Sequence, residues 1–164
     1  MKMFCYQCQE TCRNTGCTAG GVCGKKMELA NRMDELIEKL KVLALVRKPD
    51  RKLGRFVVQS LFQTITNANF SEDRIAERIR ETEELTGPTS VTAPLGVLSC
   101  ANEDLRSLRE LLTYGVKGIA AYAEHAAVLG YEEDAIYEFV FKALASTARD
   151  LSAEELTALV LECG

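Results

Sequence analysis

The sequence predicts an all-α protein in which a cysteine-rich N-terminal loop precedes two three-helix bundles related as a repeat. Three observations predict it. After Met27, apolar residues recur at three- and four-residue steps, the period of amphipathic helices. Capping residues and breakers divide that pattern into two sets of three. Before it, five of the seven cysteines crowd into the first 23 residues, where no apolar period is sustained.

The first set occupies residues 27–85. Leu29, Met33, Leu36, Ile37, Leu40 and Leu43 form one helical face, and Pro49-Asp50 breaks it. A second helix is expected to start near Gly54, with Val57, Val58, Leu61, Phe62 and Ile65 inside, ending at Asn67-Ala68-Asn69. Ser71 is the expected N-cap of a third, with Glu72 and Asp73 in its first turn and Ile75, Ala76 and Ile79 inside. Residues 86–101 carry Pro88 and Pro94 and read as a linker, extended at Val97-Leu98.

The second set occupies residues 102–164. Asn102 can cap a long helix through Leu105, Leu108, Leu112, Val116, Ile119 and Ala123, ending at Gly130. Another helix is expected from about Glu133 to Thr147, the acidic run Glu132-Glu133-Asp134 favouring its start through the helix dipole. Ser152-Ala153-Glu154-Glu155 is a capping box before Leu156, Leu159 and Val160. Phe56-Val57-Val58-Gln59-Ser60-Leu61 echoes Phe139-Val140-Phe141-Lys142-Ala143-Leu144, and a capping serine follows each, so the two sets read as a repeat.

Hydrophobic residues are 47% and charged residues 27%, an ordinary globular balance. A net charge of −4 with no separate basic block argues against nucleic acid as a partner. No uncharged apolar run is long enough for a bilayer. Met1-Lys2-Met3-Phe4-Cys5, followed by glycine-rich polar sequence, is not expected to act as a secretory leader. A cytoplasmic, reducing setting is therefore expected, and there an odd number of crowded cysteines points to metal rather than disulfides.

The spacing is Cys5-x2-Cys8, then eight residues to Cys17, then five to Cys23. Thiolates at i and i+3 of a tight turn can face one centre, and Gly16, Gly20 and Gly21 let the backbone close around a bulky group. Four thiolates from one compact loop are what an iron–sulfur cubane requires. Structural zinc sites usually show two close pairs, and only one is present here. Zinc and redox thiols stay open beside the iron–sulfur reading, and Cys12 could exchange with one of the four. Cys100 and Cys163 read as small hydrophobes, and His125 as structural. Tyr114 and Tyr122 are expected to pack, and Gly115 and Gly118, flanking Lys117, to permit close helix contact. No nucleophile–base pair or phosphate loop is present, so no catalytic residue is assigned.

Phe4-Cys5-Tyr6-Gln7-Cys8-Gln9-Glu10-Thr11, Asn14-Thr15-Gly16-Cys17-Thr18 and Gly21-Val22-Cys23-Gly24-Lys25 resemble the N-terminus of the hybrid-cluster, or prismane, proteins, assigned as hydroxylamine reductases. The likeness continues through Leu61–Phe70, Asn102–Leu112 and Ala120–Gly130, and so covers essentially the whole chain. It implies that Cys5, Cys8, Cys17 and Cys23 bind a 4Fe-4S cluster, with Cys12 outside the ligand set; the wider-spaced 2Fe-2S type fits less well. It also implies that the hybrid cluster, which performs the chemistry in that family, belongs to two later domains. The stretch from Lys26 to Arg55 is shorter and more basic than the family pattern. On this likeness the chain is expected to relay electrons to a redox protein or to hybrid-cluster domains outside it, alone or within an oligomer. The alternatives are a redox- or nitric-oxide-sensing protein and a zinc-stabilised interaction module.

Overall fold

The computed structural model describes residues 3–164; Met1 and Lys2, which open the expected 1–26 segment and the N-terminus judged against a leader, lie outside the described residues. Six α-helices follow the cysteine segment: α1 Met27–Val46, α2 Arg51–Gln63, α3 Glu72–Thr86, α4 Glu103–Val128, α5 Asp134–Thr147 and α6 Ala153–Cys163. The fold is all-α, as the periodicity predicts; the one β-type pairing among the described residues is an isolated antiparallel bridge between Cys5 and Cys17. Among those residues no helix is long and apolar enough to cross a membrane.

The polar punctuation sets the helix starts. Ser71 accepts the Arg74 amide at 3.3 Å and Asn102 accepts the Leu105 amide at 3.0 Å. Ser152 and Glu155 close a reciprocal capping box, at 3.2 and 2.8 Å. The second helix starts earlier than Gly54. Asp50, expected to act as a breaker, accepts the Leu53 amide at 2.8 Å and caps α2 from Arg51. Val97-Leu98 is not extended either. Gly96 has a φ of 73°, which turns the chain into one 3-10 turn over Val97–Ser99, closed by a 2.6 Å bond from Ser99 Oγ to the Gly96 carbonyl.

The two triplets share one core. Leu36, Leu40 and Leu43 of α1, Val57 and Leu61 of α2, Ile75 of α3, Leu112 and Val116 of α4, Val140 and Leu144 of α5 and Leu159 of α6 all belong to it. Each such side chain, taken from water, contributes roughly 1.5–3 kcal/mol. The repeat appears in how the helices pair. α1 packs on α3 as α4 packs on α6, and α2 packs on α4 as α5 packs on α1. The central helices of both triplets then meet each other. Gly54 lies under the Tyr137 ring so closely that a Cβ would overlap it, and Arg51 bonds Asp134 at 2.9 Å. Both contacts join positions 83 residues apart, the spacing that relates Phe56 to Phe139. At that same spacing Thr64 and Thr147 are both buried, and each donates to the carbonyl three residues back, Leu61 and Leu144, at 2.7 and 2.8 Å.

Candidate metal centre

The cysteine segment folds as a small double turn against α1 and α4. The amide of Cys5 donates to the Cys17 carbonyl at 3.0 Å, and that of Cys17 to the Cys5 carbonyl at 2.7 Å, so these two residues lie side by side. Between them the chain reverses through a 3-10 turn, Cys12–Asn14, in which Arg13 and Asn14 have φ of 54° and 58°. Gly16 completes the reversal at φ 140°, and the Phe4 ring occupies the space a Cβ would need. Thr11 Oγ1 donates to the Cys5 carbonyl at 3.1 Å and stands 3.7 Å from Cys17 Sγ. Below the turns, Met3, Cys17 and Ala30 form a separate small apolar cluster, with Cys5 and Met27 against it. The Tyr6 ring meets the Tyr114 ring of α4 edge-on at 6.1 Å, anchoring the segment on its other side.

The four sulfurs differ in setting. Cys17 is buried; Cys5, Cys8 and Cys23 are half-buried. The Cys12 amide donates to Cys17 Sγ at 3.4 Å. That bond, with the Val22 amide and the Thr11 hydroxyl, favours the thiolate and lowers the Cys17 pKa despite burial. Burial raises the Cys5 thiol, an effect the Gln7 amide opposes. Gly21 has the same packing role at the far end, since a Cβ on it would stand 3.0 Å from Cys23 Sγ. Among the described residues no three His, Cys, Asp or Glu side chains gather as they would around a single ion. The chemistry of the donor set fits a larger group: four thiols from one segment, backbone N–H groups aimed at sulfur, and glycine where the backbone passes closest. Cys12 is exposed and bonds through its amide.

The other sequence candidates separate clearly. His125 is exposed and its ring sits edge-on to Phe62 at 5.5 Å, a packing contact. Tyr114 packs as expected, but Tyr122 does not: it is 81% exposed, on the outer face of α4, whose Ala120 and Ala127 are buried. Gly115 admits a close approach, with Cys163 Sγ where its Cβ would be, whereas Gly118 has nothing within 4 Å. Cys100 is half-buried, and its thiol points to the Asn102 carbonyl at 3.4 Å.

Sequence reasoning missed a buried group of charges beside the segment. Asp34 and Lys41 of α1 face Glu110 and Lys117 of α4; Lys41 and Lys117 are buried, and Asp34 and Glu110 are half-buried. Burial pushes the Asp34 carboxyl up to about 6, against the opposing pull of Lys117, and pushes Lys117 down to about 8. Glu110 is raised and Lys41 lowered, again chiefly by burial. The only mark in the sequence is a pair of opposite charges seven residues apart on each helix, Asp34 and Lys41 on α1 and Glu110 and Lys117 on α4.

Known proteins bear on this arrangement directly. The family model described as Prismane/CO dehydrogenase family matches residues 3–164. A hydroxylamine reductase of Desulfitobacterium hafniense is 44% identical over 202 aligned residues, which take in 100% of this chain and 37% of that protein. One from Nitratidesulfovibrio vulgaris is 43% identical, over 99% of this chain and 37% of its own length. Hydroxylamine reductase 2 of Clostridium acetobutylicum is 40% identical, over 100% and 39%. The chain thus spans less than two-fifths of these relatives, and within the matched region they carry residues that it lacks.

Proposed function

We propose, because this chain belongs to the Prismane/CO dehydrogenase family, that Cys5, Cys8, Cys17 and Cys23 hold one 4Fe-4S cluster and that the chain is the electron-transfer module of a hydroxylamine-reductase-type protein. The observation that carries the reading is the Cys5–Cys17 bridge: it brings two thiols of the set together and aims the Cys12 amide at one of them. The cluster, when bound, supplies one-electron storage. The chain's own residues do the rest. The Cys12 and Val22 amides and the Thr11 hydroxyl favour the thiolate of Cys17, and the Phe4 and Tyr6 rings, 5.4 Å apart, cover the turn. A cubane with four cysteine ligands has no free coordination position. Reduction of a nitrogenous substrate is therefore assigned to hybrid-cluster domains, or to a partner protein, outside these residues. A cytoplasmic location suits a set of free thiols.

Single serine variants of all seven cysteines test the assignment. Iron and sulfide should be lost from Cys5→Ser, Cys8→Ser, Cys17→Ser and Cys23→Ser, and retained by Cys12→Ser, Cys100→Ser and Cys163→Ser. Full occupancy in Cys17→Ser with loss in Cys12→Ser would contradict the ligand set. A colourless chain holding one zinc would contradict the cluster itself. The isolated chain should reduce no hydroxylamine with a chemical donor; turnover above that of free cluster would contradict the division of labour.

A further inference from the structure

The buried charges between α1 and α4 surround a cavity of about 20 Å³, room for one water. Gln7, Asp34, Lys41, Glu110, Thr113 and Lys117 line it. Among the described residues none of the four charged groups has a direct ion-pair partner. Lys117 Nζ instead reaches the Thr64 carbonyl, at 3.5 Å. Nearby, the Tyr114 hydroxyl is buried with no hydrogen-bond partner among the described residues. Two carboxyls and two ammonium groups held apart around a water-sized space are costly as mere structure, because buried charges are ordinarily paired. Gln7, between Cys5 and Cys8, forms the wall on the cysteine side.

We propose that this chamber is a proton-binding site coupled to electron uptake by the cysteine segment, with the Asp34 carboxylate as the acceptor and a water between Lys41, Lys117 and Glu110 as the carrier. The inference rests on the cluster reading given above. An electron from a one-electron reductant, a redox protein in the cell or dithionite in the cuvette, adds one negative charge beside Cys5. A proton from solvent forms an O–H bond on Asp34, and no other bond is made or broken in the chain. The charges that face Asp34 are Lys41 on its own helix, Glu110 and Lys117 on α4, and Lys25 ahead of α1. The chamber meets the cysteine segment at Gln7, two residues from Cys5 and one from Cys8, so charge gained by the segment lies close to the chamber. Such coupling is reciprocal: an electron that favours the proton is itself favoured by it. Asp34 and Lys117 bracket neutrality from opposite sides, so the protonation state is free to change there.

Reduction potentials of the cluster-loaded chain, taken from pH 5 to pH 9 by dithionite titration, test this. In the unaltered protein the potential should fall as pH rises, approaching about 59 mV per tenfold change in proton concentration, one proton per electron. Asp34→Asn should flatten that slope. Lys117→Met should move it to higher pH, because it removes the cation that holds the carboxyl down. A pH-independent potential in the unaltered protein, or an undiminished slope in Asp34→Asn, would overturn the proposal while leaving the cluster in place. A carbon-13 titration of the Asp34 carboxyl in the oxidised, cluster-loaded chain gives a second readout. A midpoint near 6, rising in Lys117→Met, supports the site, and one near 3.8 overturns it. A chain that takes up no cluster is recognised by its lack of colour; that result defeats the proposed function, and the redox coupling with it.

Discussion

In the helical body, Leu36, Val57, Leu61, Val140 and Leu144 are wholly buried in one core that draws on all six helices. Among the described residues, the cysteine segment contributes Met3 and Cys17, half-buried Cys5 beside them, to a satellite cluster that leans on Ala30 and Met27 of α1. Its shape is drawn by hydrogen bonds and by backbone that glycine alone adopts comfortably. The contrast teaches where stability and function reside. The body is held by area removed from water. The front has too little apolar surface for that, and on the proposed reading its order comes from bonds to the group it would bind.

Four substitutions break or sharpen the contrast. Leu144→Ala, in the middle of the core, should cost about 2–5 kcal/mol in urea unfolding. Because the triplets share that core, the loss should appear as one transition of the whole helical signal; two separate transitions would mean two independent bundles. Gly54→Ala sets a methyl group into the Tyr137 ring at the crossing of α2 and α5, and should cost about 1–3 kcal/mol. An unchanged midpoint would mean that the crossing is loose. Gly16→Ala acts on the other region. A side chain at φ 140° that also displaces Phe4 should cost roughly 1–3 kcal/mol in the front segment alone. Cluster occupancy should drop while the unfolding midpoint of the cluster-free body stays put.

The smallest expected effect is on pH dependence, since Asp34 is half-buried and solvent screens it in part. Its folded pKa of about 6 lies above the ordinary 3.8, so the fold favours the protonated form. Stability from this group is fully present below about pH 4 and is lost as pH rises through 6. The urea midpoint of Asp34→Asn should lack that decline. An identical pH profile for the two proteins would remove Asp34 from the account.

Much of this was legible in the sequence, for physical reasons that also mark what was not. Ser71, Asn102 and Ser152 announce their helices because a cap is a local event, a side chain bonding an amide three residues on. Asp50 is the same kind of signal, obscured by Pro49, which reads as a break when it is the step before a cap. Phe56–Leu61 and Phe139–Leu144 repeat one burial pattern, but periodicity does not say which face meets which. The pairing of Gly54 with Tyr137, and hence the interleaving of the triplets, needed coordinates. At the front, spacing offers four thiols as a candidate set, whereas the Cys12 amide on Cys17 could not be read, because a backbone donor leaves no mark on residue identity. The Asp34–Lys117 chamber escaped because charges are expected to face water, and two helices had to meet before their shared side was known.

Amide hydrogen exchange before and after iron chelation, followed with the far-UV helical signal, tests the central claim most directly: that a ligation-ordered segment is set on a self-sufficient helical body. Chelation should make amides fast through residues 3–26, including those of Cys5 and Cys17. Val57–Leu61 and Val140–Leu144 should stay protected and most of the helical signal should remain. Collapse of the whole helical signal together with the cluster would contradict the account, because the body would then depend on the same bonds as the loop.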